Sequence, residues 1–226
     1  MRFHTTAAVV LAAAGAAVFA EDKWTKYWND RVETFRKENA TLPADRLNAI
    51  FLGDSITEGF PLSRHFKGKP VLNRGIVADR ISEPAGHGIA GRLKESVFDC
   101  RPGIIFLMIG VNDLASSGKS PEALAKDCGD LIASIRKGAP KARIVIQTCL
   151  PVGNKYGRHA QVEPRVVKYN EALTALAKAA KIPVVDLHKI YAGPDGLLPD
   201  EITGDGLHLK GDAYGKWADA LKPFLP

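Results

Sequence analysis

The chain is poor in residues that signal special chemistry: it has three cysteines, two methionines and 8% aromatics in 226 residues. Cys100, Cys128 and Cys149 match no zinc-ligand spacing. In an oxidising compartment their odd number leaves at least one thiol unpaired. A Cys100–Cys128 bridge is allowed but not required, and Cys149, at the end of an apolar run, reads as a core residue. His65 and His159 show no metal-ligand spacing with carboxylates, so neither metal nor cofactor is expected. No basic run interleaved with aromatics occurs, and the formal charge of +6 is spread among acidic neighbours. That excludes nucleic acid as a partner and fits a solvated surface or weak attraction to an anionic envelope or glycan. The chain also lacks internal repeats, low-complexity tracts and linker-like stretches.

What is present begins with a targeting pattern. Arg2 and His4 precede an almost unbroken Ala/Val/Leu run over residues 7–18, followed by the small residue Ala20 and the polar Glu21, Asp22 and Lys23. This order predicts a cleavable signal peptide over residues 1–20, with cleavage near Ala20 and export to the periplasm or beyond. The alternative is an uncleaved anchor, but the run is short for a bilayer and no stable span is expected in the mature chain. Residues 21–226 then form one domain with a full core. A hydrophobic content of 46% and a charged content of 25% are ordinary for such a domain.

Apolar runs alternate with amphipathic stretches. Strands are predicted at residues 48–52, 70–72, 103–109, 143–149 and 182–185. Helices are predicted from Ser120-Pro121 to Gly138, with an N-cap serine and proline in the first turn, from Glu163-Pro164 to about Lys181, and over residues 211–221. Trp24, Trp28, Val32 and Phe35 recur at helical spacing and read as a packing face. Continuous apolar strands between helices indicate a five-stranded parallel sheet covered on both faces, a three-layer α/β/α sandwich of flavodoxin-like type. Ligands in such folds bind beyond the carboxyl ends of the strands.

Four segments fall there. In GDSITEG (residues 53–59), Ser55 sits where a buried strand meets a helix. Its hydroxyl would lie at the mouth of the sheet among free N–H groups, although an inert N-cap serine is equally consistent with the segment alone. In NRG (residues 73–75), Gly75 can offer an unobstructed N–H, or simply make a turn. In GVND (residues 110–113), Asn112 can donate its amide to the same oxyanion, or cap a helix. In TGDGLHL (residues 203–209), His208 can serve Ser55 as general base and Asp205 can orient its imidazole; alone, the pair would pass for a polar surface loop. Asp186 and His188 form a competing pair, but adjacent side chains of an extended segment diverge. Asp54, beside the nucleophile, and His87, in a loop, are candidate substrate contacts.

Together the four segments place a nucleophile, oxyanion donors and an acid–base pair where one fold would gather them. In order they resemble the four blocks of the SGNH (GDSL) hydrolase family, over roughly residues 47–223, and most resemble its bacterial platelet-activating-factor acetylhydrolase-like esterases. Ser55, Gly75, Asn112 and His208 match the four name-giving residues, and Asp205 matches the triad acid. The resemblance implies an α/β/α fold and metal-free ester hydrolysis by a Ser55, Asp205, His208 triad, with Ser55 N–H, Gly75 N–H and Asn112 Nδ2 as the oxyanion hole. It departs from the family after NRG, where relatives carry a second glycine pair and a short helix. Here residues 76–80 and 82–88 intervene, a small insertion that bears on pocket shape. The expected activity is hydrolysis of short acetyl esters, with a small ester or O-acetylated glycan as substrate. The alternatives are a lysophospholipase or thioesterase on lipid esters, and a non-catalytic glycan-binding module.

Overall fold

A computed structural model of the chain describes residues 23–83 and 86–225. The predicted signal peptide over residues 1–20, and two residues of the insertion, lie outside them. Five parallel strands, β1 (Asn48–Gly53), β2 (Val71–Gly75), β3 (Pro102–Met108), β4 (Arg143–Gln147) and β5 (Val184–Val185), form one sheet in the order β2-β1-β3-β4-β5. This is the expected flavodoxin-like order. The helices are α1 (Lys23–Asn39), α2 (Ser55–Glu58), α3 (Leu62–His65), α4 (Leu93–Ser96), α5 (Val111–Ser116), α6 (Pro121–Gly138), α7 (His159–Ala179), α8 (Leu187–Tyr191) and α9 (Tyr214–Leu221).

All six residues of β1 are buried, because side chains on both faces of the sheet are covered. Phe51 and Phe106 meet on one face at 5.0 Å between ring centroids, and Phe60, Tyr214 and Trp217 extend that aromatic layer. At the opposite face Arg74 of β2 is buried against α1: it donates to Glu38 Oε2 (2.6 Å) and Asn39 Oδ1 (2.8 Å), and its guanidinium lies 4.6 Å from the Phe35 ring centroid. Helices α6 and α7 pack on each other. A Cβ at Gly129 of α6 would come within 2.7 Å of Leu176 Cδ1, so a larger residue there would push that side chain aside.

Several boundaries differ from the sequence reading. Strand β2 runs on through Asn73, Arg74 and Gly75, because the polar side chains of this edge strand find partners on α1 and α2. The β4 ladder stops at Gln147, two residues early. Asn170 takes over there, accepting from Cys149 N (2.9 Å) and donating to its carbonyl (3.0 Å). Helix α7 begins at His159 rather than Glu163, and holds Pro164 inside. The aromatic stripe on α1 is divided: Val32 and Phe35 are buried with Ile76, Trp28 is half-buried and Trp24 is 48% exposed. All three cysteines are free and buried, so the Cys100–Cys128 bridge is not made.

A fully buried charge, Arg92, lies just ahead of α4. It pairs with Asp79 (2.7 Å), itself buried, and donates to Ser96 Oγ (2.7 Å) and to Gly53 O (3.0 Å) at the end of β1. Removing one member strands the other in a place without water. Asp79→Ala should therefore cost about 3–5 kcal/mol, and a double Asp79→Leu, Arg92→Met variant should recover much of it. Urea denaturation of the three proteins checks this; a single variant as stable as wild type would show the pair contributes nothing.

Candidate active site

The four segments converge at the carboxyl ends of the strands. Asp54 N-caps α2, its Oδ1 accepting from Ile56 N (3.0 Å), and this places Ser55 at the first helical position directly after β1. Ser55 Oγ lies 2.8 Å from His208 Nε2, and His208 Nδ1 lies 2.6 Å from Asp205 Oδ2. The three-residue spacing works because residues 202–210 fold into a tight hairpin. Thr203 pairs with Leu209, and Lys210 N donates to Ile202 O (2.8 Å). At its tip Asp205 Oδ1 accepts from Leu207 N and His208 N, each at 2.9 Å, so the carboxylate that holds the imidazole is itself held by the backbone. Buried Thr203 donates to His208 O (2.7 Å) and accepts from Gly206 N (2.9 Å). Gly206 has φ +79°, and a Cβ there would meet Tyr156 N at 2.3 Å, so only glycine fits.

Burial alone would raise the pKa of Asp205. The N–H groups of His208 and Leu207 and the His208 ring outweigh it and hold the carboxyl well below its ordinary range. Asp205 therefore stays an anion at neutral pH. In the neutral imidazole Nδ1–H donates to that anion, which leaves Nε2 free to accept from Ser55.

Two expected site residues are placed otherwise. Gly75 donates its N–H to Asn73 Oδ1 (2.9 Å), and a Cβ there would lie 2.2 Å from Glu58 N. Its glycine is required by the close approach of α2, and its N–H is not free for an oxyanion. The same Asn73 amide donates to the carbonyls of Thr57 (2.8 Å), Glu58 (3.1 Å) and Phe60 (3.2 Å), so NRG is a brace for the end of α2. Asp54, expected to touch substrate, is 1% exposed and spends its carboxylate on the cap. Asn112, in α5, commits one amide proton to Asp79 O (3.0 Å) and keeps the other. Residues 76–79 form a turn closed by Asp79 N to Ile76 O (3.2 Å), with Ala78 at φ +60°, a conformation that usually calls for glycine. Among the described residues neither Ser55 N–H nor Ala78 N–H has a hydrogen-bond acceptor.

The competing Asp186 caps α8 through Lys189 N (3.1 Å) and accepts from Thr148 Oγ1 (3.1 Å), with His188 turned away from it. His188 Nε2 instead lies 2.7 Å from Glu163 Oε1, a second acid–histidine pair that sequence spacing does not reveal. Glu163 also accepts from Val152 N, and the next residue, Gly153, donates to Gly206 O (2.7 Å), so this pair supports the hairpin from below. His87 packs on Trp28 with ring centroids 4.7 Å apart. Among the described residues no cluster of three or more His, Cys, Asp or Glu could hold a metal ion.

The family model for GDSL-like lipases and acylhydrolases matches residues 51–216, so the chain belongs to the GDSL-like lipase/acylhydrolase family. It is a carboxylic-ester hydrolase. Its fold is similar to a Streptococcus pneumoniae protein named for platelet activating factor (TM-score 0.75, 26% identity, covering 95% of this chain and 100% of that one). It is also similar to a GDSL-like lipase from Bacteroides thetaiotaomicron (0.72, 22%, 85% and 96%). A carbohydrate acetylesterase from Sinorhizobium meliloti shares the fold (0.63, 17%, 80% and 100%). No curated protein matches the chain. No helix among the described residues is long and apolar enough to cross a membrane.

Two buried carboxyls lie beneath the site. Burial pushes Asp54 up to about 7, opposed by the Ile56 N–H, and burial likewise pushes Asp113 up to about 7, opposed by the Ile81 N–H. Between pH about 4 and about 7 the fold holds protons that the unfolded chain has released, so stability should fall as pH rises through that window. Asp205 acts in the opposite sense, but only at lower pH: its contribution is present above the unfolded value and lost on acidification below it. Urea titrations at pH 4.5 and 7.5 should show wild type losing stability on going to the higher pH, and Asp113→Asn losing about 1 kcal/mol less or better. Parallel slopes for the two proteins would place the titrating group elsewhere.

Proposed function

We propose that this esterase removes short acyl groups, acetyl above all, from carbohydrate alcohols through an acyl-enzyme on Ser55. The observation that carries the reading is the continuous relay from Ser55 Oγ to His208 Nε2 (2.8 Å) and from His208 Nδ1 to Asp205 Oδ2 (2.6 Å). Ser55 Oγ attacks the ester carbonyl as its proton passes to His208 Nε2. The tetrahedral oxyanion is received by the Ser55 N–H and the remaining Asn112 amide proton, with the Ala78 N–H in the place first given to Gly75. The C–O bond breaks as His208 protonates the departing alcohol. A water, deprotonated by the same nitrogen, then attacks the acyl-enzyme and releases the acid and Ser55. Asp205 remains ionised throughout and stabilises the imidazolium.

Two observations favour a short acyl group on a sugar over a lipid. The apolar cleft of about 330 Å³ lies at the amino ends of the strands, against Leu47, Val71 and Ile104, far from Ser55. The cleft beside the 76–79 turn is instead rimmed by polar groups. A signal over residues 1–20 would deliver the protein to where O-acetylated polysaccharides occur.

Ser55→Ala and His208→Ala should each lower kcat by about 10⁴-fold or more, and the double variant should be little worse, since the members act as a unit. Asn112→Ala should cost about 10²- to 10³-fold in kcat with less effect on KM. Across p-nitrophenyl acetate, butyrate and octanoate, kcat/KM should fall by about tenfold or more, and acetate should be released from acetylated xylan. Rates that rise with chain length, with fatty acid released from lysophospholipid and no acetate from glycan, would overturn the substrate assignment and favour the lipid reading.

A further inference from the structure

Residues Glu83, His87 and Gly88 and the exposed end of α1 border a cleft of about 300 Å³ next to the oxyanion turn. Trp24 and Trp28, one helical turn apart on α1, form one wall, and His87 packs against Trp28. The floor is the turn bearing Val77, Ala78 and Asp79. Trp28 Nε1 donates to Asp79 Oδ1 (3.3 Å), and the carbonyl of the same Asp79 accepts from Asn112 (3.0 Å). The cleft therefore adjoins the place where the oxyanion would form. At the rim Arg80 pairs with Glu83 (2.9 Å), both side chains about one-third exposed, and the buried Arg80 Nε has no hydrogen-bond partner among the described residues.

We infer that this cleft is the subsite for the alcohol side of the ester and that it takes a pyranose ring; the assignment rests on the esterase reading above. A sugar has two apolar C–H faces edged by hydroxyls, and the cleft offers indole faces edged by a guanidinium, a carboxylate and an imidazole. An acyl chain would leave the buried Arg80 Nε, which has no hydrogen-bond partner among the described residues, unsatisfied, whereas a sugar hydroxyl can accept from it. A quaternary ammonium headgroup also favours tryptophan faces, but here it would meet Lys23, whose Nζ lies 5.0 Å from the Trp24 ring centroid, and the Arg80 guanidinium at the rim. Both carboxylates of the lining, Asp79 and Glu83, are already paired with arginines, so neither is left to balance a second cation. Glu83, His87 and Gly88, from the segment read in the sequence as an insertion, thus supply one wall of a sugar site.

The test separates the subsite from the catalytic reading. Unacetylated xylotriose is titrated into wild type, Ser55→Ala, Trp24→Ala and Trp28→Phe by calorimetry, with phosphocholine as the rival probe. Kinetics are measured on acetylated xylotriose and on ethyl acetate. The expected result is saccharide binding by wild type and Ser55→Ala alike. Trp24→Ala should weaken it about tenfold, Trp28→Phe should retain most of it, and phosphocholine should not bind. In kinetics Trp24→Ala should raise KM about tenfold for the sugar ester, with kcat unchanged and ethyl acetate unaffected. Equal losses on both esters, unchanged saccharide affinity in Trp24→Ala, or tight phosphocholine binding would each overturn the subsite. If sugar esters are cleaved and Trp24→Ala behaves as wild type, the subsite falls and the function stands. If ethyl acetate is cleaved but wild type neither binds the saccharide nor cleaves its ester, both sugar assignments fall and the triad stands.

Discussion

The buried Arg92 guanidinium ties three segments around the site, the end of β1, α4 and the turn at Asp79, to one charge. Its Nη2 reaches Gly53 O at the end of β1, two residues before the nucleophile, and its Nη1 reaches Ser96 of α4. Nε and Nη2 share Asp79, whose backbone carbonyl holds Asn112 and whose second carboxylate oxygen holds Trp28. A desolvated ion pair is costly unless further hydrogen bonds help satisfy it, and here those bonds go to the parts that must stay in register. A lysine could not do this, because its ammonium lacks the planar fork that serves three directions at once. Nucleophile, oxyanion donor and aromatic cleft are thus fixed to one charge, whose cost the sheet and α1 must offset through burial of apolar surface.

The acid–base half of the site is built differently. Asp205 and His208 are 56% and 42% exposed, in a hairpin rather than on a core element. Their geometry comes from local bonding: the Asp205 carboxylate spans its own turn, Thr203 ties both ends, and Gly206 lets the tip pack against the segment that Glu163 holds. Water reaches this half, as leaving alcohol and attacking water must, while the oxyanion half is anchored from beneath by the buried Asp79–Arg92 pair. That division suits a reaction whose charge develops at the oxyanion and whose protons pass through the imidazole.

The sheet was legible in the sequence because fully buried parallel strands read as continuous apolar runs. The candidate triad drew notice because Ser55 follows a strand end and Asp205 and His208 precede the last helix, and the structure brings the three side chains within hydrogen-bond distance of one another. What escaped depended on partners distant in sequence. Asn73 and Arg74 read as loop residues, yet belong to β2 because α1 and α2 satisfy their side chains. Gly75 was read as a donor, but only the packed structure reveals that Asn73 claims its N–H and that Glu58 excludes any side chain. Pairing of Glu163 with His188, 25 residues apart, has no signature in spacing. The Trp24 to Phe35 stripe was read as packing alone, and periodicity could not tell that its first half stands outside the core.

The central claim is that Ser55, activated by His208, is the nucleophile of a covalent mechanism, and trapping tests it most directly. Incubation with a small fluorophosphonate, followed by trypsin digestion and tandem mass spectrometry, should find one adduct on the peptide spanning residues 47–64. Fragmentation should place it on Ser55 and not on Ser63, with loss of activity in step with labelling and no adduct in His208→Ala. An adduct on a different residue, or full labelling of His208→Ala, or complete inactivation with Ser55 unmodified, would contradict the account.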